Sequence, residues 1–275
     1  MNRAQAGPYR LQRNLVMALL LALAMAAWAV LVWQSAIKST DMAMASPTMG
    51  LRAPLFLAIW VVMMVAMMFP TASPMILTFH RVQVGKRQRG EAFVATWVFV
   101  AGYMLVWTLA GIVAYAGAAA AEAAAARMAM PTETAARIGG AVLIAAGLYQ
   151  VTPLKDLCLS KCRTPIGFIM TSWHDGVTGA LRMGLAHGGY CLGCCWLLFV
   201  ILFPLGIMNI AAMAAITLLV FTEKTLPWGR RTARLVAVAL VVYGAVVLVQ
   251  PRFLPTFMAD SGLASPAASR PMQMR

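Results

Sequence analysis

Charge is scarce in this chain. Its 275 residues include 22 Lys+Arg and only 8 Asp+Glu, 11% charged in all, against roughly 25% in an ordinary soluble domain. Histidine is rarer still: His80, His174 and His187 are the only three. Paired axial histidines for a haem inside a bilayer are therefore lacking. No GxxxxGK[ST] sequence occurs, so the phosphate loop of an ATP-driven pump is absent and any transport is passive or driven by a partner.

Apolar sequence fills the space that charge leaves, at 62% of residues. A membrane-spanning helix needs about 20 apolar residues. Seven stretches qualify as candidates: 14–34, 53–79, 92–118, 138–153, 183–206, 208–222 and 233–250. Segments 138–153 and 208–222 are short, so six spans, or seven with one re-entrant segment, both fit. The reading is an all-α, polytopic transmembrane helical bundle over residues 1–253, with a Pro-, Ala- and Ser-rich disordered tail at 254–275. The first apolar run is longer than a signal-peptide core and reads as a retained anchor. Segment 115–137 reads as an outer loop or an extension of the third span. The fifth and sixth spans form a hairpin joined near Pro204 and Gly206.

Basic loops stay cytoplasmic. With seven spans and the N-terminus inside, 15 of the 22 basic residues fall on the inner side, among them Arg81, Lys86, Arg87, Arg89, Lys155, Lys161, Arg163 and Arg182. This pattern accounts for the net charge of +14 without nucleic acid as a partner. The expected partners are the lipid bilayer, a metal ion, and a protein that gives or receives that metal.

The metal expectation rests on His187-Gly-Gly-Tyr-Cys-Leu-Gly-Cys-Cys-Trp196. On a helix, His187, Cys191, Cys194 and Cys195 recur at three and four residues and share a face. Polar groups are costly in hydrocarbon, and three thiols within five residues are difficult to explain as packing. Cys158 and Cys162, expected in the inner loop before the fifth span, complete the five cysteines. None falls in an outer loop, which argues against a disulfide scaffold. All five are expected to meet at one depth near the inner membrane face.

Trp60–Pro70 supplies a second pattern, with Met63 and Met67, and Met64 and Met68, at helical spacing. Methionine stripes are ordinary packing in many cores. Here Met67, Met68 and Met75 approach the expected depth of the thiols, Met64, Met67 and Met68 are candidate metal ligands, and Pro70 and Pro74 are expected to interrupt the helix and free carbonyls. Thiolate and thioether donors together select Cu(I), with zinc as the alternative ion. A bound cation also offsets the cost of keeping thiolates in low dielectric.

Three blocks carry a resemblance: WVVMMVAMMFPTASPM at 60–75, YQVTPLKDLCLSKCR at 149–163 and MGLAHGGYCLGCCW at 183–196, with Met208-Asn209 and Glu223-Lys224 fitting as well. The chain resembles a family of bacterial integral membrane proteins described as metal-binding. The resemblance covers most of residues 50–235. It implies a multi-pass protein of the bacterial inner membrane with a shared site and ligand candidates at Cys158, Cys162, His187, Cys191, Cys194 and Cys195. Some members are regarded as copper-handling.

The favoured function is therefore Cu(I) binding, with relay or delivery to a partner, rather than enzymatic turnover. Met63, Met64, Met67 and Met68 would form a low-affinity path. The alternative is a membrane thiol-disulfide oxidoreductase using Cys191, Cys194 and Cys195, with Cys191 and Cys194 as a CxxC couple. Glu223 reads as a solvated charge at the membrane interface.

Overall fold

The computed structural model describes residues 3–38 and 46–256. Among these, ten α-helices follow one another: α1 Arg3–Lys38, α2 Ala53–Gln88, α3 Thr96–Arg127, α4 Thr132–Tyr149, α5 Pro153–Arg163, α6 Pro165–Ser172, α7 Gly176–Val200, α8 Leu202–Leu205, α9 Ile210–Thr225 and α10 Gly229–Val249. A short 3₁₀ turn at Pro251–Phe253 closes the order, and no strand occurs among the described residues. The protein is all-α.

Five helical stretches among the described residues are long and apolar enough to cross a membrane: Leu11–Ala36, Ala53–Gln88, Thr96–Arg127, Gly176–Leu205 and Gly229–Val249. A sixth arises if α4 and α5, bent by 62° across a short break, count as one span. Helix α9 covers the expected stretch 208–222 but has only 16 residues, about 24 Å of helix at 1.5 Å per residue. It therefore falls short of the roughly 30 Å hydrocarbon thickness. Segment 115–137 divides: α3 runs on to Arg127, a short turn follows, and α4 begins at Thr132. Glu122 accepts hydrogen bonds from Ser46 Oγ, Thr48 N and Thr48 Oγ1, tying the alanine-rich end of α3 to the loop before α2.

Helix α2 is the core element, with eighteen buried residues along its length. It runs without a break through Pro70 and Pro74, contrary to the expected interruption. Each proline lacks the N–H that would serve the carbonyl four residues earlier. Both carbonyls have found another donor. Trp28 Nε1 donates to Ala66 O at 3.1 Å, pinning α1 to α2, and Ser73 Oγ donates to Pro70 O at 2.9 Å.

Helix α7 packs on α3 and α5, and α4 packs on α10. The α3–α7 contact brings backbone against backbone. A Cβ on Gly184 would lie 2.2 Å from Phe99 O, and one on Gly102 would lie 2.5 Å from Leu181 O. Only glycine permits that approach. Beyond α7, the chain turns through α8 and Gly206, at φ +95°, into α9. The first residues of the expected tail are packed, with Leu254 buried and Thr256 Oγ1 bonded to Pro204 O. Residues 257–275 lie outside the described residues.

Candidate metal centre

The cysteine-rich stretch is helical, and its thiols face inward. Cys191, Cys194 and Cys195 are each at most 2% exposed. Helix α7 starts at Gly176, seven residues before the expected span. Cys191 therefore lies about 22 Å along it. The two remaining cysteines lie on α5 rather than in a loop. Thr152 caps that helix by accepting from Lys155 N, and Pro153 occupies its first turn, where a missing N–H costs nothing.

Packing of α5 on α7 brings the two cysteine sets together. Cys162 is buried and interacts with both Cys191 and Cys194. Cys191 in turn interacts with Cys194 and Cys195. Cys158, only partly buried, stands over Gly193, where a Cβ would come within 2.8 Å of its Sγ. All five thiols are free. Cys194 and Cys195 each donate to the carbonyl of Cys191, at 3.1 and 2.9 Å. Such back-bonding by side chains three and four residues on is local and geometrically undemanding.

A cation already sits in this cluster. Lys224 Nζ donates to Cys191 Sγ at 2.9 Å, and the ammonium also interacts with Cys162, Cys194 and Cys195. Lys224 is only 8% exposed. Its place near the C-terminal end of α9 sets it against Cys191 of α7. The adjacent Glu223 is 1% exposed and pairs with Lys155, whose Nζ lies 2.8 Å from both carboxylate oxygens. This corrects the reading of Glu223 as a solvated interfacial charge. A buried charge needs a partner, and α5 supplies one.

Tyr103 of α3 closes the other side. Its hydroxyl shares a 3.1 Å hydrogen bond with Cys191 Sγ, and its ring stacks on His187 with centroids 5.5 Å apart. His187, 2% exposed, also faces Phe99 and Phe168. Its Nδ1 has no hydrogen-bond partner among the described residues. A buried, unpaired ring nitrogen one turn from Cys191 is unusual, since buried polar atoms are nearly always bonded.

Met63, Met64, Met67, Met68 and Met75 are at most 1% exposed along α2, which packs on α1, α3, α6 and α9. Among the described residues, no three His, Cys, Asp or Glu side chains stand around one point as ready metal ligands. The donors are gathered, with a lysine among them.

The sequence reading missed Lys224, Lys155 and Tyr103 as parts of this centre. Their signal was present. Lys155 lies in the same block as Cys158 and Cys162, Lys224 follows Glu223, and Tyr103 is a polar-tipped ring in an apolar helix beside Gly102.

A helical bundle that buries a cluster of soft donors belongs to the class of metal-handling proteins. A family model described as PpoB2, a copper chaperone, matches residues 57–247, and the chain belongs to that family. Comparison with curated proteins and with solved structures gives no match.

Proposed function

We propose that this protein carries Cu(I) on the cluster of Cys162, Cys191, Cys194 and Cys195, within a multi-pass bundle of the bacterial inner membrane. The observation that carries the reading is the meeting of four buried, free thiols from α5 and α7 around a buried ammonium. Thiolates select monovalent copper over harder ions, and the family assignment points to the same cargo.

Each part has a role in that reading. Cys191, bonded to Cys194, Cys195, Lys224 and Tyr103, is the central ligand. Cys158, the most accessible thiol, exchanges the ion with a donor or acceptor protein. His187 offers its unpaired Nδ1 as an auxiliary ligand. Met64, Met67 and Met68 provide a weaker thioether station on α2. The Lys224 ammonium compensates negative charge when two or more thiolates hold one Cu(I).

Elemental analysis of detergent-purified protein beside a Cys191→Ser/Cys194→Ser variant tests the reading. The expected result is about one copper per chain in the parent and none in the variant. Zinc in place of copper overturns the choice of ion. Metal-free protein after anaerobic Cu(I) reconstitution, with a thiol count that falls on oxidation, favours thiol-disulfide chemistry instead.

A further inference from the structure

A second cavity, of about 620 Å³, opens between α1, α2 and α6, away from the thiols. Three arginines line it, Arg13, Arg81 and Arg89, and among the described residues no aspartate or glutamate does. Two of the guanidiniums lack a carboxylate. Arg81 makes no hydrogen bond or ion pair among the described residues, and Arg13 reaches only the side-chain oxygen of its neighbour Asn14, at 3.1 Å. Arg89 is paired with Glu91. The other wall is apolar. Ile166 and Met170 of α6 also line the cavity and are 66% and 78% exposed.

Uncompensated guanidiniums facing one space attract an anion, and the planar fork of arginine suits phosphate. An exposed apolar lip is pointless for a free anion in water but fits an acyl chain. Basic pockets between helices at a cytoplasmic membrane face bind anionic headgroups in this way. On the basic-inside orientation these arginines lie at that face. We propose that this cavity binds an anionic phospholipid, its phosphate on Arg13 and Arg81 and its chains over Ile166 and Met170. The assignment rests on the reading of the chain as membrane-inserted and is independent of copper.

Native mass spectrometry of the full chain in detergent tests it, with dioleoylphosphatidylglycerol, dioleoylphosphatidylcholine and inorganic phosphate as probes. Phosphatidylglycerol is expected to bind in preference to phosphatidylcholine. Arg13→Gln/Arg81→Gln is expected to weaken that binding about thirtyfold, from about 1 kcal/mol per arginine. Arg231→Gln/Arg234→Gln, an equal loss of charge elsewhere, should leave it unchanged. Ile166→Gln/Met170→Gln should weaken the lipid and spare inorganic phosphate, which keeps the proposal testable if the arginine variant misfolds. Equal binding of the two lipids, equal loss in the control pair, or inorganic phosphate bound as tightly as phosphatidylglycerol each overturns it. Extraction of the unaltered chain by alkaline carbonate without detergent ends the membrane reading itself. A carbonate-resistant chain without lipid preference ends only this proposal.

Discussion

Lys224 Nζ and Cys191 Sγ lie 2.9 Å apart in the interior of the bundle, donor on α9 and acceptor on α7. The two residues are 33 positions apart in the chain, and the packing of α9 on α7 brings them together. Hydrogen bonds involving a charged group contribute about 1.5–3 kcal/mol. Lys224→Met should therefore weaken Cu(I) binding by about tenfold to a hundredfold, measured by competition with a Cu(I) chelator of known affinity. Unchanged affinity would mean that the ammonium is a bystander.

The Lys155–Glu223 pair predicts a different pattern. Removing one member leaves a buried, uncompensated charge at a cost of about 3–5 kcal/mol, whereas apolar replacement of both is often tolerated. Glu223→Leu is expected to lower the thermal unfolding midpoint sharply, and Lys155→Met/Glu223→Leu to regain most of the loss. A double variant as unstable as the single one would show that the pair is replaceable by nothing of that shape.

Trp28 and Pro70 are coupled through Ala66 O. Trp28→Phe removes the donor and leaves a carbonyl that Pro70 cannot serve, a loss of about 1–3 kcal/mol. In a Pro70→Ala background the restored backbone N–H takes over that carbonyl. The same Trp28→Phe change should then cost clearly less, as read by a double-mutant cycle on unfolding midpoints. Equal cost in both backgrounds contradicts the coupling.

Gly184→Ala places a Cβ 2.2 Å from Phe99 O, and neither backbone can yield without separating α3 from α7. Tyr103 then leaves Cys191. We expect reduced stability together with reduced copper retention after purification. Gly189→Ala, where nothing lies within 4 Å of the added atom, should match the parent protein in both measurements.

Much of the centre is legible in the amino-acid order alone. The triad of Cys191, Cys194 and Cys195 with His187 falls on one helical face because 3.6 residues make a turn, whatever surrounds it. The thiols of α5 carry a weaker sign, since a CxxxC spacing aligns two side chains without saying what they face. The charged half of the centre is invisible to pattern reasoning. Lys155 and Lys224 look like ordinary inner-face charges, and hydropathy places such residues at the interface. What buries them is packing between elements: Lys155 of α5 meets Glu223 of α9, and Lys224 of α9 meets Cys191 of α7.

The sequence by itself determined an all-α chain of long apolar helices and a soft-donor cluster of one imidazole and three thiols on one face of α7. These follow from composition and helical periodicity, which act within a single element. Only the tertiary structure decided that α5 folds back onto α7, that Cys162 joins Cys191 and Cys194, and that Lys224 and Tyr103 hold Cys191 from two other helices. It also decided that Pro70 and Pro74 leave α2 unbroken, because Trp28 and Ser73 serve the freed carbonyls. Those outcomes depend on which glycines let backbones touch and which partners satisfy buried charges and carbonyls. Such terms link residues far apart in the chain, and local pattern does not encode them.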